Sequence, residues 1–225
     1  MNSQQVRILI VDDHYVVRQG LKMILKEQFE FAEFGEAGNG QEALEQVWNH
    51  EWDVVLVDIS MPGRGGLDVL KDLKHAKAKL PVIVLSMHSE DQYAIRSLKL
   101  GACSYVRKDG AGQELVRAVS GALTGTPYIS SSIAQKLALH LQHDKEGPPH
   151  DALADREYQV MCMIASGKTV KEIAQELSLS VKTISTHRTR ILEKMNLANN
   201  SQIMRYAVAH GLVEVEFNPS AGEGD

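Results

Sequence analysis

Four apolar runs, at residues 8–11, 54–57, 82–85 and 105–106, stop at or near a polar or charged residue, and helical periodicity fills the stretches between them. Residues 7–11 read as a strand, and the helix predicted at 14–26 gathers Val17, Leu21, Ile24 and Leu25 on one face. A weaker strand at 32–36 leads to a helix at 41–48. After Asp53, residues 54–57 are continuously apolar, as expected of a strand covered on both faces. A helix at 67–74, a strand at 81–85, a helix at 92–100, a strand at 104–106 and a helix at 113–123 follow. Gly101 and Gly125 stand where helices should end. Strict strand–helix alternation predicts an α/β, doubly wound five-stranded parallel sheet over residues 1–125.

Beyond residue 125 the pattern changes. Residues 126–150 read as a linker with one short amphipathic helix at 133–141, where Ile133, Leu137 and Leu141 are in register. The polar, breaker-rich stretch 143–150 reads as flexible. Residues 151–217 then predict a small all-α domain, and residues 218–225 a disordered tail. Asp155 is placed to cap a helix that runs through Ser166 and stops at Gly167. Thr169 and Glu172 form a capping box that opens a short helix to Leu177. Ser180 caps a longer helix at 181–195, and a last helix spans 201–210 before Gly211. Two helices separated by a tight turn, the second carrying basic residues, make a helix-turn-helix pattern.

In a parallel α/β sheet the carboxyl ends of the strands line one crevice. That edge collects Asp12, Asp13, Asp58, Ser86 and Lys108. Three carboxylates make an oxygen-rich site suited to Mg²⁺ (or Mn²⁺). A carboxylate beside such an ion is a nucleophile towards phosphorus. Lys108 would neutralise the transferred group and Ser86 would donate a hydrogen bond to it.

Composition narrows this picture only at two points. Cys103 and Cys162 are isolated, without pairing or metal-ligand spacing, and no apolar run approaches the ~20 residues needed to span a bilayer. A cytoplasmic protein with no membrane partner is expected. The net charge of −5 argues against nucleic acid in bulk, and residues 151–225 hold 8 Lys/Arg against 10 Asp/Glu. The predicted helix nevertheless carries Lys182, Arg188, Arg190 and Lys194 against Glu193 alone, a local positive stripe of the kind that phosphate binding needs.

Several motifs carry a resemblance. They are Ile8-Leu-Ile-Val-Asp-Asp13, Val57-Asp58 with Met61-Pro-Gly63, Leu85-Ser-Met-His88, and Gly101-Ala102 with Tyr105 to Lys108. Arg156-Glu157, Lys171-Glu-Ile-Ala174 and Thr183-Ile-Ser-Thr-His187 follow. In this order they resemble a two-component response regulator, with a flavodoxin-like receiver domain and a LuxR/FixJ-type helix-turn-helix output domain. The resemblance implies Asp58 as phosphoacceptor for a sensor histidine kinase. It also implies Asp12, Asp13, Asp58 and the carbonyl of Ser60 around the metal, Ser86 as the switch hydroxyl, Lys108 as phosphate partner, and Tyr105 as an aromatic that changes rotamer. Three positions depart from the common pattern: Met87 is bulkier than the usual Ala or Gly, Ala154 replaces Thr, and Ser185 stands where Lys is frequent.

On the helix at 181–195, Val181, Ile184, Ile191, Leu192 and Met195 form an apolar arc that should face the core. A helix in the major groove reads bases from its N-terminal half and touches phosphate elsewhere. Lys182, Ser185, Thr186 and Thr189 are expected near bases of double-stranded promoter half-sites, and Thr183, His187, Arg190 and Lys194 near the backbone. Ile203, Met204, Ala207 and Val208 are more apolar than a peripheral helix needs, and the resemblance implies that this helix pairs two copies as a homodimer on phosphorylation. No turnover enzyme is expected. The competing class is a haloacid-dehalogenase-like phosphohydrolase, which needs an Asp-x-Asp on its first strand, whereas this strand ends Asp12-Asp13-His14.

Overall fold

The first strand, β1 (Arg7–Val11), is buried along four of its five residues, and β3 (Val54–Asp58) and β4 (Val82–Ser86) are buried throughout. Strands this apolar must be covered on both faces. In the computed structural model, which describes residues 5–87, 91–108, 112–142 and 148–213, they lie at the centre of a parallel sheet. With β2 (Glu33–Ala37) and β5 (Ser104–Arg107) the order among the described residues is β2-β1-β3-β4-β5. The helices between them are α1 (Tyr15–Gln28), α2 (Gly40–Asn49), α3 (Gly66–Ala76), α4 (Asp91–Lys99) and α5 (Gly112–Thr124). Each agrees with its expected position to within two residues.

Because successive strand residues face opposite sides, Ile8, Ile10, Leu56, Ile83 and Leu85 form one core with Leu21 and Leu25 of α1 and Leu115, Ala118 and Val119 of α5. Strand order reverses between β1 and β3. That switch point opens the crevice in which the carboxyl ends of both strands stand. Gly66, at the start of α3, closes in on it: a Cβ there would lie 2.1 Å from the Asp58 carbonyl oxygen, so only glycine lets α3 approach the end of β3.

The chain divides into two units, residues 1–146 and 147–225. The helix α6 (Ser131–Gln142) belongs to the first and packs against α4, with Ile133 buried. Residues 143–147 and 218–225, read from sequence as linker and tail, lie outside the described residues, as does the Leu141 side chain.

In the second unit a 3-10 turn (Pro149–Ala152) precedes α7 (Asp155–Ala165), α8 (Val170–Glu176), α9 (Val181–Lys194) and α10 (Asn200–Ala209). Four expectations are corrected here. Asp155 is not the cap of α7. Ala154 holds that position without a side-chain bond, and Glu157 reaches back to accept from the Ala154 N–H at 2.9 Å. His150, placed in the flexible stretch, is buried and its Nδ1 lies 2.7 Å from the Tyr206 hydroxyl. Asn199, accepting from the Gln202 N–H, starts α10 one residue early. Val181 leaves the apolar arc: at the first residue of α9 it is 48% exposed, whereas Ile184, Ile191 and Met195 are buried.

Candidate functional sites

Asp12 follows the last residue of β1 and is 0% exposed, and Asp58 ends β3 at 1%. Lys108, one residue beyond β5, sends its Nζ to 2.6 Å from Asp12 Oδ2 and 2.9 Å from Asp58 Oδ1. Its own N–H donates to the Ser86 carbonyl, which ties the end of β5 to that of β4. Ser86 and Tyr105 are both buried, and the Ser60 backbone N–H points at the Asp58 carboxylate. Asp13 stands nearer the surface, with Oδ1 3.1 Å from His14 Nδ1. The structure thus brings Asp12, Asp13, Asp58 and Lys108 together at one edge.

Burial pushes the Asp58 carboxyl above its ordinary value, Lys108 opposes this, and the neighbouring Asp12 carboxylate adds to it. Asp12 and Asp58 share the one ammonium of Lys108, and Asp13 beside them adds a further negative charge at the mouth of the crevice. The three carboxylates supply hard oxygen donors. A small divalent cation fits that charge and that donor set. Asp12, Asp13 and His14 offer ligand atoms within 4.8 Å of one another.

The second candidate surface is the outward face of α9. Lys182, Ser185, Thr186, Thr189 and Arg190 are exposed on it. The Thr186 hydroxyl donates to the Lys182 carbonyl at 3.0 Å and that of Thr189 to the Ser185 carbonyl at 3.1 Å, which holds both methyl groups in defined rotamers. Other expected contact residues are partly committed within the domain. Ser180 Oγ accepts from the Thr183 N–H at 3.0 Å, and the Thr183 hydroxyl lies 2.8 Å from it, so Thr183 belongs to the cap. Lys194 donates to Glu157 Oε2 at 2.6 Å, which locks α9 to α7. Burial would raise the Glu157 carboxyl, but Lys194 and the Ala154 N–H outweigh it and hold the group low. His187 is half-buried, and burial lowers its imidazole against the pull of Glu157.

The four apolar residues expected to pair two copies separate into two faces. Ile203 and Ala207 are buried in their own domain, since positions four apart on α10 face α7. They are corrected to core residues. Met204, 42% exposed, and Val208, 44% exposed, face outward. Sequence reasoning missed the Glu157–Lys194 lock. Its only local signal is that Glu157 sits three residues after the cap, and Ala154 hides that pattern by lacking a hydroxyl.

Comparison with known proteins bears on both surfaces. Residues 8–120 match the response regulator receiver domain, and residues 151–207 match the luxR family of bacterial regulatory proteins. The chain is 36% identical over 212 residues to response regulator UvrY of Escherichia coli K12, covering 94% of this chain and 97% of that one. It is 35% identical over 209 residues to the transcriptional regulatory protein LiaR of Bacillus subtilis, covering 92% and 99%. Among solved structures, RcsB of Salmonella enterica serovar Typhimurium, bound to promoter rprA in the presence of the phosphomimetic BeF₃⁻, is similar at a TM-score of 0.61 and 26% identity. That match covers 91% of this chain and all of RcsB. With a receiver domain over residues 8–120 and a luxR-type domain over residues 151–207, this chain belongs to the response regulator family, whose relatives include transcriptional regulators.

Proposed function

We propose that this protein is a phosphorylation-controlled transcriptional regulator of the cytoplasm, and that Asp58 is its phosphoacceptor. The observation that carries the reading is the position of Asp58: buried at the switch point, 2.9 Å from Lys108, with Asp12 and Asp13 alongside. Asp12, Asp13, Asp58 and the carbonyl of Ser60 would hold Mg²⁺, which supplies neutralisation of the charge on the phosphoryl oxygens when bound. An oxygen of the Asp58 carboxylate forms the new bond to phosphorus. The bond from phosphorus to the imidazole nitrogen of a phosphohistidine on a sensor histidine kinase breaks, and the imidazole leaves with the electron pair. Lys108 steadies the transferred group, and Ser86 is the hydroxyl that moves to meet it, with Tyr105 following. The chain is then a carrier of the group and not a turnover enzyme.

The phosphorylated form pairs with a second copy through Met204 and Val208 and lays α9 in the major groove of promoter half-sites. Lys182, Ser185, Thr186 and Thr189 stand near base edges, and Arg190 and His187 near phosphates. Asp58→Asn tests the reading. The variant should take no base-labile, hydroxylamine-sensitive label from a phosphodonor in Mg²⁺ and should gain no affinity for promoter DNA when BeF₃⁻ is added, whereas the parent does both. Undiminished label on the variant refutes the assignment.

A further inference from the structure

Asp12 is fixed by more than its carboxylate. Its main-chain N–H donates to the Ala37 carbonyl at 3.1 Å, and its main-chain oxygen accepts from Arg18 Nη1 at 2.7 Å. Arg18 stands one turn into α1, and its Nε donates to Glu36 Oε2 of β2 at 2.9 Å. Glu36 in turn gathers Gln19 at 3.0 Å and Lys22 at 2.7 Å. One planar guanidinium therefore spans the end of β1 and the neighbouring strand, a geometry that the fixed fork of donors on Arg permits and the single ammonium of Lys does not.

Where β1 ends, the Asp12 carbonyl has left the ladder, and a carbonyl free there would let the peptide between Asp12 and Asp13 rotate. That peptide sets the direction of both carboxylates. Arg18 also brings a positive charge close to a cation-binding crevice. Such a charge would oppose metal binding if left alone, but Glu36 offsets it.

We propose that Arg18 is a positioning residue for the divalent cation. It clamps the Asp12–Asp13 peptide so that both carboxylates face the metal, and Glu36 holds Arg18 in place and cancels its charge. The proposal rests on the reading of the crevice as a phosphoacceptor site.

Mg²⁺ affinity measured by calorimetry on the full-length chain, with acetyl-phosphate labelling of Asp58 followed against Mg²⁺, tests it. Arg18→Ala should weaken Mg²⁺ about tenfold, the lower end of what the loss of a group supporting metal ligands costs. Its labelling rate at saturating Mg²⁺ should stay within about twofold of the parent, because the reacting groups are intact. Arg18→Lys should not restore affinity. Glu36→Gln, a near-isosteric change that removes the negative charge and leaves one oxygen to accept from α1, should weaken Mg²⁺ more at low than at high salt, because it exposes an uncompensated charge. Lys22→Ala, which touches Glu36 but not Asp12, should bind Mg²⁺ as the parent does. Parent-like affinity in Arg18→Ala or Glu36→Gln, full rescue by lysine, or an equal loss in Lys22→Ala overturns the clamp. A parent chain that takes up no Mg²⁺ overturns both the clamp and the metal reading, whereas a parent that binds and is matched by Arg18→Ala overturns the clamp alone.

Discussion

Asp58 and Glu36 stand two strands apart and are displaced in opposite directions, which gives their contributions to stability opposite signs. Burial raises Asp58 above its ordinary 3.8, so ionising it costs the folded state, and the cost is present at pH above that value. Asp58→Asn should therefore melt at a higher temperature than the parent at pH 7 in EDTA, and the difference should shrink as pH falls towards 3.8. Saturating Mg²⁺ should raise the melting temperature of the parent but not of the variant. Thermal denaturation followed by circular dichroism measures both, and a lower melting temperature of Asp58→Asn in EDTA would contradict the account. Glu36, held at about 2 chiefly by Lys22, with Arg18 and Gln19 adding to it, supplies stability that is complete above 4.5 and is lost as pH falls towards 2.

At the scale of elements, α10 has one buried and one exposed apolar face. Ile203 and Ala207 seal α10 against α7, and Met204 and Val208 form an exposed apolar strip that the proposed pairing of two copies would use. Ile203→Ala should destabilise the second domain by roughly 2–5 kcal/mol, the range for truncating a fully buried branched side chain. Met204→Asp with Val208→Asp should leave melting nearly unchanged and abolish paired occupancy of adjacent half-sites. Denaturant titration and sedimentation of the protein–DNA complex separate the two effects. Equal loss of stability in both variants would show that the outward strip is not free for pairing. The lock between α7 and α9 obeys the same logic, because breaking Lys194 away from Glu157 leaves a buried carboxylate without its cation.

For the whole molecule, a net charge of −5 sets DNA binding against bulk repulsion, so on the proposed reading affinity comes from the α9 stripe and from two copies acting together. Few phosphate contacts per copy predict a modest, salt-sensitive affinity that rises steeply when two half-sites are joined. Lys182→Ala and Thr186→Ala should weaken the specific site far more than random DNA, while Arg190→Ala should weaken both alike. Titrations at one fixed salt concentration decide this. A uniform loss across all three variants would remove Lys182 and Thr186 from base reading.

The chain's periodicity determined, unaided, the alternation of strands and helices, the parallel sheet and the gathering of Asp12, Asp13, Asp58, Ser86 and Lys108 at one edge. Those features are legible because a strand buried on both faces must be apolar along its length, and because parallel strands all end at the same side. Periodicity also marked α9 and α10 but not which way their side chains face. Val181 reads as core and is exposed, and Ile203 reads as interface and is buried. His150 reads as linker and is enclosed by Tyr158, Tyr206 and His210. The Arg18–Glu36 clamp and the Glu157–Lys194 lock join residues 18 and 37 positions apart. Only the tertiary structure decided these, because local pattern records how a segment is wet and dry along its own axis, whereas the partner of a long charged side chain depends on which distant element is packed against it.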